Sequence, residues 1–175
     1  MDNILIRKIT IDDIEELQKI GRTTFYETFA PWNSEANIKK YLEEVFSLEQ
    51  LTMELGNKNS EFYFAIFENS PIGYLKINRG DAQTEIKDSA SLEIERIYVL
   101  KQFFGKKVGQ LLYETALSIA KKSKYKFLWL GVWEQNHRAI SFYKKNGFAE
   151  FDKHIFKLGD DIQTDLLMKL EQDQK

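Results

Sequence analysis

Hydrophobic and polar positions change their period along the chain, and these changes predict the order of elements. Residues 3–9 alternate as in a strand, and the apolar positions that follow recur every three or four residues, as in an amphipathic helix. Two more apolar stripes with helical spacing follow. One begins after Ser34, and the other begins after Ser47, which has Gln50 three residues further on, as in a capping box. The chain before residue 60 is therefore predicted as one strand and three helices.

The rest of the chain is richer in strands. The segments EFYFAIFE and IGYLKIN, separated by Asn69-Ser70-Pro71, are typical of a hairpin, and SLEIERIYVL is a further strand. We then expect a helix from about Val108 to Lys122, a strand over 126–133, a helix over 136–146 and two strands joined by a turn at Gly159-Asp160-Asp161. The order β-α-α-α-β-β-β-α-β-α-β-β predicts a mixed α/β sheet with a right-handed βαβ crossover.

Composition narrows the class of protein. The 175 residues, 43% hydrophobic and 30% charged, are the size of one folded domain, expected over 1–175. The net charge of -2 argues against a nucleic-acid surface, and no apolar run approaches the roughly 20 residues that span a bilayer. A cytoplasmic protein without membrane contact is expected. Cysteine is absent, and His137 and His154 lack metal-ligand spacing, so we expect no metal and no histidine base.

A basic stretch with two glycines, KQFFGKKVGQLL, joins a strand to a helix. Gly105 and Gly109 would let the backbone approach a ligand, the first N–H groups of the helix attract anions, and Lys106 and Lys107 lie alongside. The stretch fits neither G-x-x-x-x-G-K-[ST] nor G-x-G-x-x-G. Taken alone, it is better explained as a surface turn with solvated lysines.

Two neighbouring blocks change that interpretation. IYVLKQFFGKKVGQLLYETA and WLGVWEQNHRAISFYKKNGFAE resemble the two central motifs of the GCN5-related N-acetyltransferase (GNAT) superfamily, which transfers acetyl from acetyl-CoA to an amine. The second block contains the pattern N-x-x-A-x-x-F-Y-x-x-x-G-F, here Asn136, Ala139, Phe142, Tyr143, Gly147 and Phe148. The first block departs from the corresponding family pattern, Q/R-x-x-G-x-G/A. It has Phe104 where the family has Gln or Arg, and Lys107 where the family has the first glycine. Over nearly the whole chain, segments such as TTFYETFAPWNSEANIKKYLEEVFS are most similar to the bacterial PaiA-type spermidine/spermine N-acetyltransferases.

The resemblance implies a fold and a co-substrate site. The fold is a single mixed, mostly antiparallel sheet with a central parallel, splayed strand pair and flanking helices. The implied acetyl-CoA contacts are Ile97, Tyr98, Val99, Phe104, Gly105, Lys106, Lys107, Val108, Gly109, Asn136, Ser141, Tyr143 and Lys145. The backbone at Tyr98 and Val99 would donate to the thioester carbonyl, and the Tyr143 hydroxyl would protonate the departing thiolate. Core packing also explains Tyr143, and helix capping also explains Asn136.

The reaction also needs a base, because an amine is an ammonium at neutral pH. Glu93 and Glu95 alternate along LEIERIYV and are expected on one strand face, where they could attract the amine and accept its proton, directly or through water. A solvent-facing pair, or a pair bound to Arg96 or a lysine, is nearly as good an explanation. The acceptor groove is predicted from aromatic and acidic residues, namely Phe25, Glu27, Phe29, Trp32 and Glu35, with Glu93.

These residues predict direct transfer of acetyl to a small-molecule amine, such as a polyamine, in a ternary complex, because no nucleophile is evident. Two alternatives stay open: another acceptor, such as a protein N-terminus or an amino-sugar antibiotic, and a non-catalytic acyl-CoA-binding regulatory domain. Superfamily members are often dimers, so a homodimer is a further expectation, although the sequence identifies no interface.

Overall fold

The computed structural model describes residues 3–158 and 161–172, and its elements follow the predicted order. They are β1 (Leu5–Lys8), α1 (Ile14–Phe29), α2 (Glu35–Val45), α3 (Leu48–Gly56), β2 (Ser60–Phe67), β3 (Ser70–Arg79), β4 (Ser91–Val99), α4 (Val108–Lys122), β5 (Phe127–Trp133), α5 (His137–Lys145), β6 (Ala149–Leu158) and β7 (Asp161–Glu171). The turn predicted before β7 falls on Gly159 and Asp160, outside the described residues. No helix in the two described ranges has the length and apolar character needed to cross a membrane.

Within the described residues, seven strands form one sheet in the order β1-β2-β3-β4-β5-β7-β6. Their neighbouring pairs are antiparallel except β4 and β5, which run parallel. The β4–β5 ladder ends at the pair Glu93 and Trp129, although β4 continues to Val99 and β5 to Trp133. The two strands therefore separate, and the predicted mixed sheet with a splayed parallel pair is confirmed.

Helices cover both faces of this sheet, because alternate strand residues are apolar on each side. On the α4–α5 face, those helices pack over aliphatic side chains such as Leu75 and Ile77 of β3. On the α1–α3 face, the core is richer in aromatic rings, among them Phe62, Phe64 and Tyr74. Burial of each large apolar side chain contributes roughly 1.5–3 kcal/mol, so the two layers fix the sheet between them.

The helices begin in two different ways. Ser34 and Ser47 each accept a hydrogen bond from the backbone N–H three residues further on, and Asn136 does the same at the start of α5. At Ser47 this is the serine half of the pattern seen in the sequence, because the Gln50 side chain donates to Glu54 instead. Helix α4 has no side-chain cap and begins after Lys107, whose φ of 62° lies in the left-handed region. Within the described residues, the first amides of α4 therefore have no side chain that accepts a hydrogen bond from them.

Candidate active site

A cavity of about 370 Å³ opens where β4 and β5 separate. Phe25 and Phe29 of α1 line it from the α1–α3 face, while Asn136 and Tyr143 line it from the α4–α5 face. Strand residues complete the wall, among them Glu93, Glu95, Ile97, Tyr98, Trp129, Gly131, Trp133, Gln163, Asp165 and Leu167. Because the cavity passes through the sheet, two molecules that enter from opposite faces can meet in it.

The N-terminus of α4 fits the predicted anion site. The first N–H of α4 that donates to a backbone carbonyl is that of Leu111, whose acceptor is the Lys107 carbonyl at 3.1 Å. The amides of residues 108–110 are therefore open, and together with the helix dipole they attract an anion. Gly105 (φ 75°) and Lys107 adopt left-handed conformations that turn the chain into the helix. This explains physically why a glycine is expected at position 107.

Cations surround this helix start. Lys106 and Lys107 are exposed, and Arg138 of α5 stacks on the Phe104 ring with its guanidinium carbon 3.4 Å from the ring centroid. Arg138 was absent from the predicted site, although its position two residues after Asn136 is a signal that could have been used. Two other predicted contacts, Ser141 and Lys145, lie exposed on α5.

Backbone donors face the gap between the strands. The N–H of Leu100 donates to the Ile72 carbonyl of β3 at 2.9 Å. Because an antiparallel ladder alternates, we expect the N–H groups of Val99 and Ile97 to point to the other side, toward β5. The β4–β5 ladder has already ended there, so a carbonyl oxygen in the gap would find these donors free.

Tyr143 lies at the junction of the cavity and the core. It is 8% exposed, lines the cavity, and packs edge-to-face on Phe142 and Phe148 with ring centroids 5.2 and 5.5 Å away. Its hydroxyl forms no hydrogen bond with any other described residue. Burial raises the pKa of Tyr143 above its usual range, so the hydroxyl keeps its proton and is a donor at neutral pH. Core packing and a role as acid are both compatible with this geometry.

Glu95 belongs to a buried ionic network. Its carboxylate accepts from Lys76 at 2.6 Å, from Arg96 at 2.9 Å and from the Asn78 amide at 2.5 Å, and Glu54 binds the same two cations. Burial alone would raise the pKa of Glu95, but the two cations and these hydrogen bonds together hold it at about 2. Of the interpretations given above, the structure places Glu95 in the salt-bridged one.

Glu93 lies beside this network but outside it. It is 2% exposed and accepts hydrogen bonds from the Asn78 amide at 3.0 Å, the Thr84 N–H at 3.0 Å and the Thr84 hydroxyl. Burial raises its pKa, the Thr84 and Asn78 hydrogen bonds oppose that rise, and the charge of Glu95 adds to it, for a net upward shift. Glu93 and Glu95 both accept a hydrogen bond from the Asn78 amide, so their carboxylates lie close to each other.

Strand β7 contributes a carboxylate that the sequence analysis missed. Asp165 lines the cavity opposite Trp133 of β5 and His154 of β6, and burial raises its pKa to about 6. His154, which was expected to be an ordinary strand or surface residue, also lines the cavity, with its Nε2 atom 3.2 Å from Glu85 Oε1. No group of three histidine or carboxylate side chains that could hold a metal ion occurs in the described part of the chain. Polar and apolar residues are mixed along β7 (DIQTDLLMKLE), so the sequence offered no local signal for Asp165.

Two predicted acceptor residues form the aromatic wall of the cavity. Phe25 and Phe29 have ring centroids 4.4 Å apart, and Tyr41 of α2 stacks on Phe25 at 4.3 Å. Burial raises the pKa of Tyr41 to about 12, so this ring is neutral at physiological pH. The wall offers flat apolar and π surfaces to a ligand.

The other three predicted acceptor residues lie outside the cavity lining. Glu27 accepts a hydrogen bond from the Lys101 N–H at 2.8 Å and thereby ties α1 to the loop before α4. Trp32 is 67% exposed and meets Trp133 edge-on at 6.2 Å. Glu35 is exposed in the first turn of α2. Trp133 itself lines the cavity, so Trp32 contacts the cavity wall from outside.

Comparison with known proteins identifies the class. Residues 17–148 match the acetyltransferase (GNAT) family, and the chain belongs to that family. It is an acetyl-CoA-dependent N-acetyltransferase. An uncharacterised N-acetyltransferase of Lactobacillus delbrueckii subsp. lactis is 40% identical over 97% of this chain and 98% of its own length.

A sequence and a solved structure from Thermoplasma acidophilum are also similar to this chain. The spermidine N(1)-acetyltransferase of that organism is 32% identical over 86% of this chain and 91% of its own. The crystal structure of the PaiA N-acetyltransferase from T. acidophilum in complex with coenzyme A aligns with a TM-score of 0.80 at 29% identity, covering 97% of this chain and 99% of the other.

Proposed function

We propose that this acetyltransferase uses a polyamine such as spermidine or spermine as acceptor and transfers the acetyl group directly in a ternary complex. The charge balance of the cavity supports this. Lys76 and Arg96 are already neutralised by Glu54 and Glu95. The remaining cavity carboxylates have no lysine or arginine partner among the described residues, and uncompensated negative charge favours a cationic ligand.

The shape and walls of the cavity support the same class of acceptor. Aromatic rings line the α1–α3 side, and an ammonium or the methylene chain of a polyamine can pack on such rings. Glu85 and His154 extend the polar lining toward the surface, where a second ammonium of a long amine could lie. The similarity to the T. acidophilum spermidine N(1)-acetyltransferase points the same way.

In this proposal, acetyl-CoA occupies the α4–α5 side. Its pyrophosphate lies on the open amides of 108–110, with Lys106 and Lys107 nearby, and Asn136 contacts the pantetheine arm. The N–H of Val99 stabilises the charge that develops on the thioester oxygen, which is worth a few kcal/mol. Tyr143 donates its proton to the thiolate as the carbon–sulfur bond breaks.

The acceptor class is tested by thiol release from acetyl-CoA with a panel of amines. Spermidine and spermine should give the highest kcat/KM, and a monoamine of similar length, which lacks the second ammonium, should be at least about 10-fold poorer. A peptide N-terminus or an aminoglycoside that outperforms the polyamines would refute the polyamine assignment. Tight acetyl-CoA binding without turnover of any amine would instead indicate a non-catalytic acyl-CoA-binding domain.

A further inference from the structure

We propose that Asp165, rather than Glu93 or Glu95, takes the proton from the acceptor ammonium. This inference rests on the proposed amine acceptor and assigns a catalytic residue to that reaction. The first argument is the availability of lone pairs. Both oxygens of Glu93 already accept hydrogen bonds, and Glu95 is bound by Lys76 and Arg96. Asp165 forms no hydrogen bond or salt bridge with any other described residue, so its oxygens are free to accept.

Glycine at position 131 keeps the space in front of this carboxylate open. Gly131 lies on the same face of the sheet as Asp165, since its neighbour Trp133 is the direct cross-strand partner of Asp165. A Cβ atom at Gly131 would lie only 3.6 Å from Asp165 Oδ2, and a longer side chain would cover the carboxylate. Both residues line the cavity beyond the point where β4 and β5 separate.

An acceptor atom without a donor lies two residues away. Gln163 is 7% exposed and lines the cavity, and its Oε1 atom has no hydrogen-bond partner among the described residues. The amide cannot simply be reversed, because its Nε2 atom donates to Asn33 Oδ1 and Asp161 Oδ2, both at 2.8 Å. A buried carbonyl oxygen without a donor is costly, and an N–H group of a bound amine would remove that cost. Gln163 and Asp165 therefore form a pair of acceptors on one face of β7.

The electrostatic environment is compatible with this role. Burial raises the pKa of Asp165 to about 6, the facing His154 of β6 opposes the rise, and Glu85 of the loop before β4 adds to it. At neutral pH the carboxylate is ionised yet more basic than an exposed aspartate, as a general base requires. Glu95, with a pKa of about 2, is a much weaker base.

One N–H bond of the ammonium breaks and an O–H bond forms on Asp165, which leaves a neutral amine. The nitrogen lone pair then forms a bond to the acetyl carbon, and the carbon–sulfur bond breaks. The thiolate takes a proton from Tyr143, and the proton lost by the amide nitrogen restores the tyrosine. Asp165 releases its proton to solvent before the next cycle.

Kinetics of Asp165→Asn test the assignment, with Asp152→Asn, an exposed aspartate of β6, as the matched control. We expect Asp165→Asn to lower kcat/KM for the best amine about 100-fold or more and to abolish the acidic limb of the pH profile near 6, with acetyl-CoA affinity unchanged. Asp152→Asn should behave like the wild type. If Glu93→Gln removes that limb and Asp165→Asn keeps it, Glu93 is the base and the proposal is wrong.

A second substrate distinguishes loss of the base from a structural effect of the substitution. A fluorinated alkylamine that is already neutral at the assay pH needs no base, so Asp165→Asn should acetylate it at nearly the wild-type rate. An equal loss on the neutral and the charged amine would mean that the substitution acts through structure, and would overturn the proposal.

Failure of this inference can be told apart from failure of the polyamine assignment. The acceptor class is read from the wild-type amine panel alone, and the kinetics of the variants use whichever amine the wild type prefers. A carbon-13 NMR titration of the aspartate carboxyls, assigned with Asp165→Asn, requires no turnover. It should show Asp165 titrating near pH 6, and titration in the ordinary aspartate range would contradict the proposal.

Discussion

The two sides of the cavity are built from different kinds of groups. On the α4–α5 side, the groups available to a ligand come from two continuous stretches, 104–110 and 136–143, and those of 108–110 are backbone amides. On the α1–α3 side they are side chains from α1, β4, β6, β7 and the loop before β4. A site made of amides keeps its donors when side chains change, which explains how Phe104 and Lys107 can depart from the family pattern. A site made of side chains depends on each charge and its partner.

The largest effect is expected where a charge on the α1–α3 side loses its partner. Lys76 is 4% exposed and binds both Glu54 and Glu95, so Lys76→Met leaves two carboxylates sharing Arg96 in a buried setting. We expect the free energy of unfolding to fall by about 3–5 kcal/mol. Urea unfolding measures this directly.

The matched control for that substitution is Lys39→Met. Lys39 pairs with Glu43 on the exposed surface of α2 at 4.0 Å, and such pairs contribute about 0.3–0.5 kcal/mol. Equal effects of the two substitutions would show that the buried network stabilises the fold no more than a surface pair. The α1–α3 side would then not depend on the pairing of its buried charges.

On the α4–α5 side, the largest single effect should come from a hydroxyl. Tyr143→Phe keeps the ring contacts with Phe142 and Phe148 and removes only the donor. We expect kcat to fall about 100-fold, while acetyl-CoA affinity and stability change little. Steady-state kinetics and calorimetric binding provide the two readouts. If turnover and acetyl-CoA affinity fall equally, Tyr143 has a packing role.

Tyr74→Phe is the matched control, because the Tyr74 hydroxyl is buried without a hydrogen-bond partner among the described residues. Its loss should leave turnover unchanged and stabilise the fold by about 1 kcal/mol.

The contrast between the two sides also explains how far the sequence could predict this molecule. The order of elements, the caps at Ser34 and Ser47 and the helix start after Lys107 depend on local signals, and the structure bears them out. The ionic network joins residues of α3, β3 and β4 that lie far apart along the chain, such as Glu54 and Arg96. No local pattern specifies such partners.

Asp165 was missed for a related reason. Strand β7 is the last of the chain, yet it lies between β5 and β6 in the sheet, and only this placement brings Asp165 to the gap. The strand pattern predicts Glu93 and Glu95 on one face but does not distinguish them, because the distinction depends on Lys76 and Arg96.

Opposite pH dependences should distinguish the two classes of carboxylate. Asp165 has a folded-state pKa of about 6, above the roughly 3.9 of an unfolded aspartate, so its ionisation costs stability as pH rises from about 4 to 6. Asp165→Asn removes this cost, and we expect it to be about 2–3 kcal/mol more stable than the wild type at pH 7, with little difference at pH 4. Urea unfolding across that range measures the change.

Glu95 provides the opposite case. Its folded-state pKa of about 2 lies below the unfolded value. The ionised carboxylate therefore stabilises the fold above about pH 4, and this stabilisation is lost as pH falls toward 2. Glu95→Gln should therefore be destabilising at pH 7. A stability gain of Asp165→Asn that is the same at pH 4 and pH 7 would show that Asp165 does not carry the proposed ionisation.

The smallest effect is expected at the start of α4, where the backbone strain at Lys107 can be separated from the effect of its ammonium charge. Lys107 has a φ of 62°, a conformation that costs a non-glycine residue about 1 kcal/mol. Lys107→Gly should therefore stabilise the fold by about that amount relative to Lys107→Ala, which keeps the strain and removes the charge. If the ammonium pairs with a phosphate, both variants should bind acetyl-CoA a few-fold more weakly at low salt, with a shallower salt dependence. Unchanged or tighter binding in both variants would mean that the open amides hold the anion alone and that Lys107 is only a tolerated turn residue.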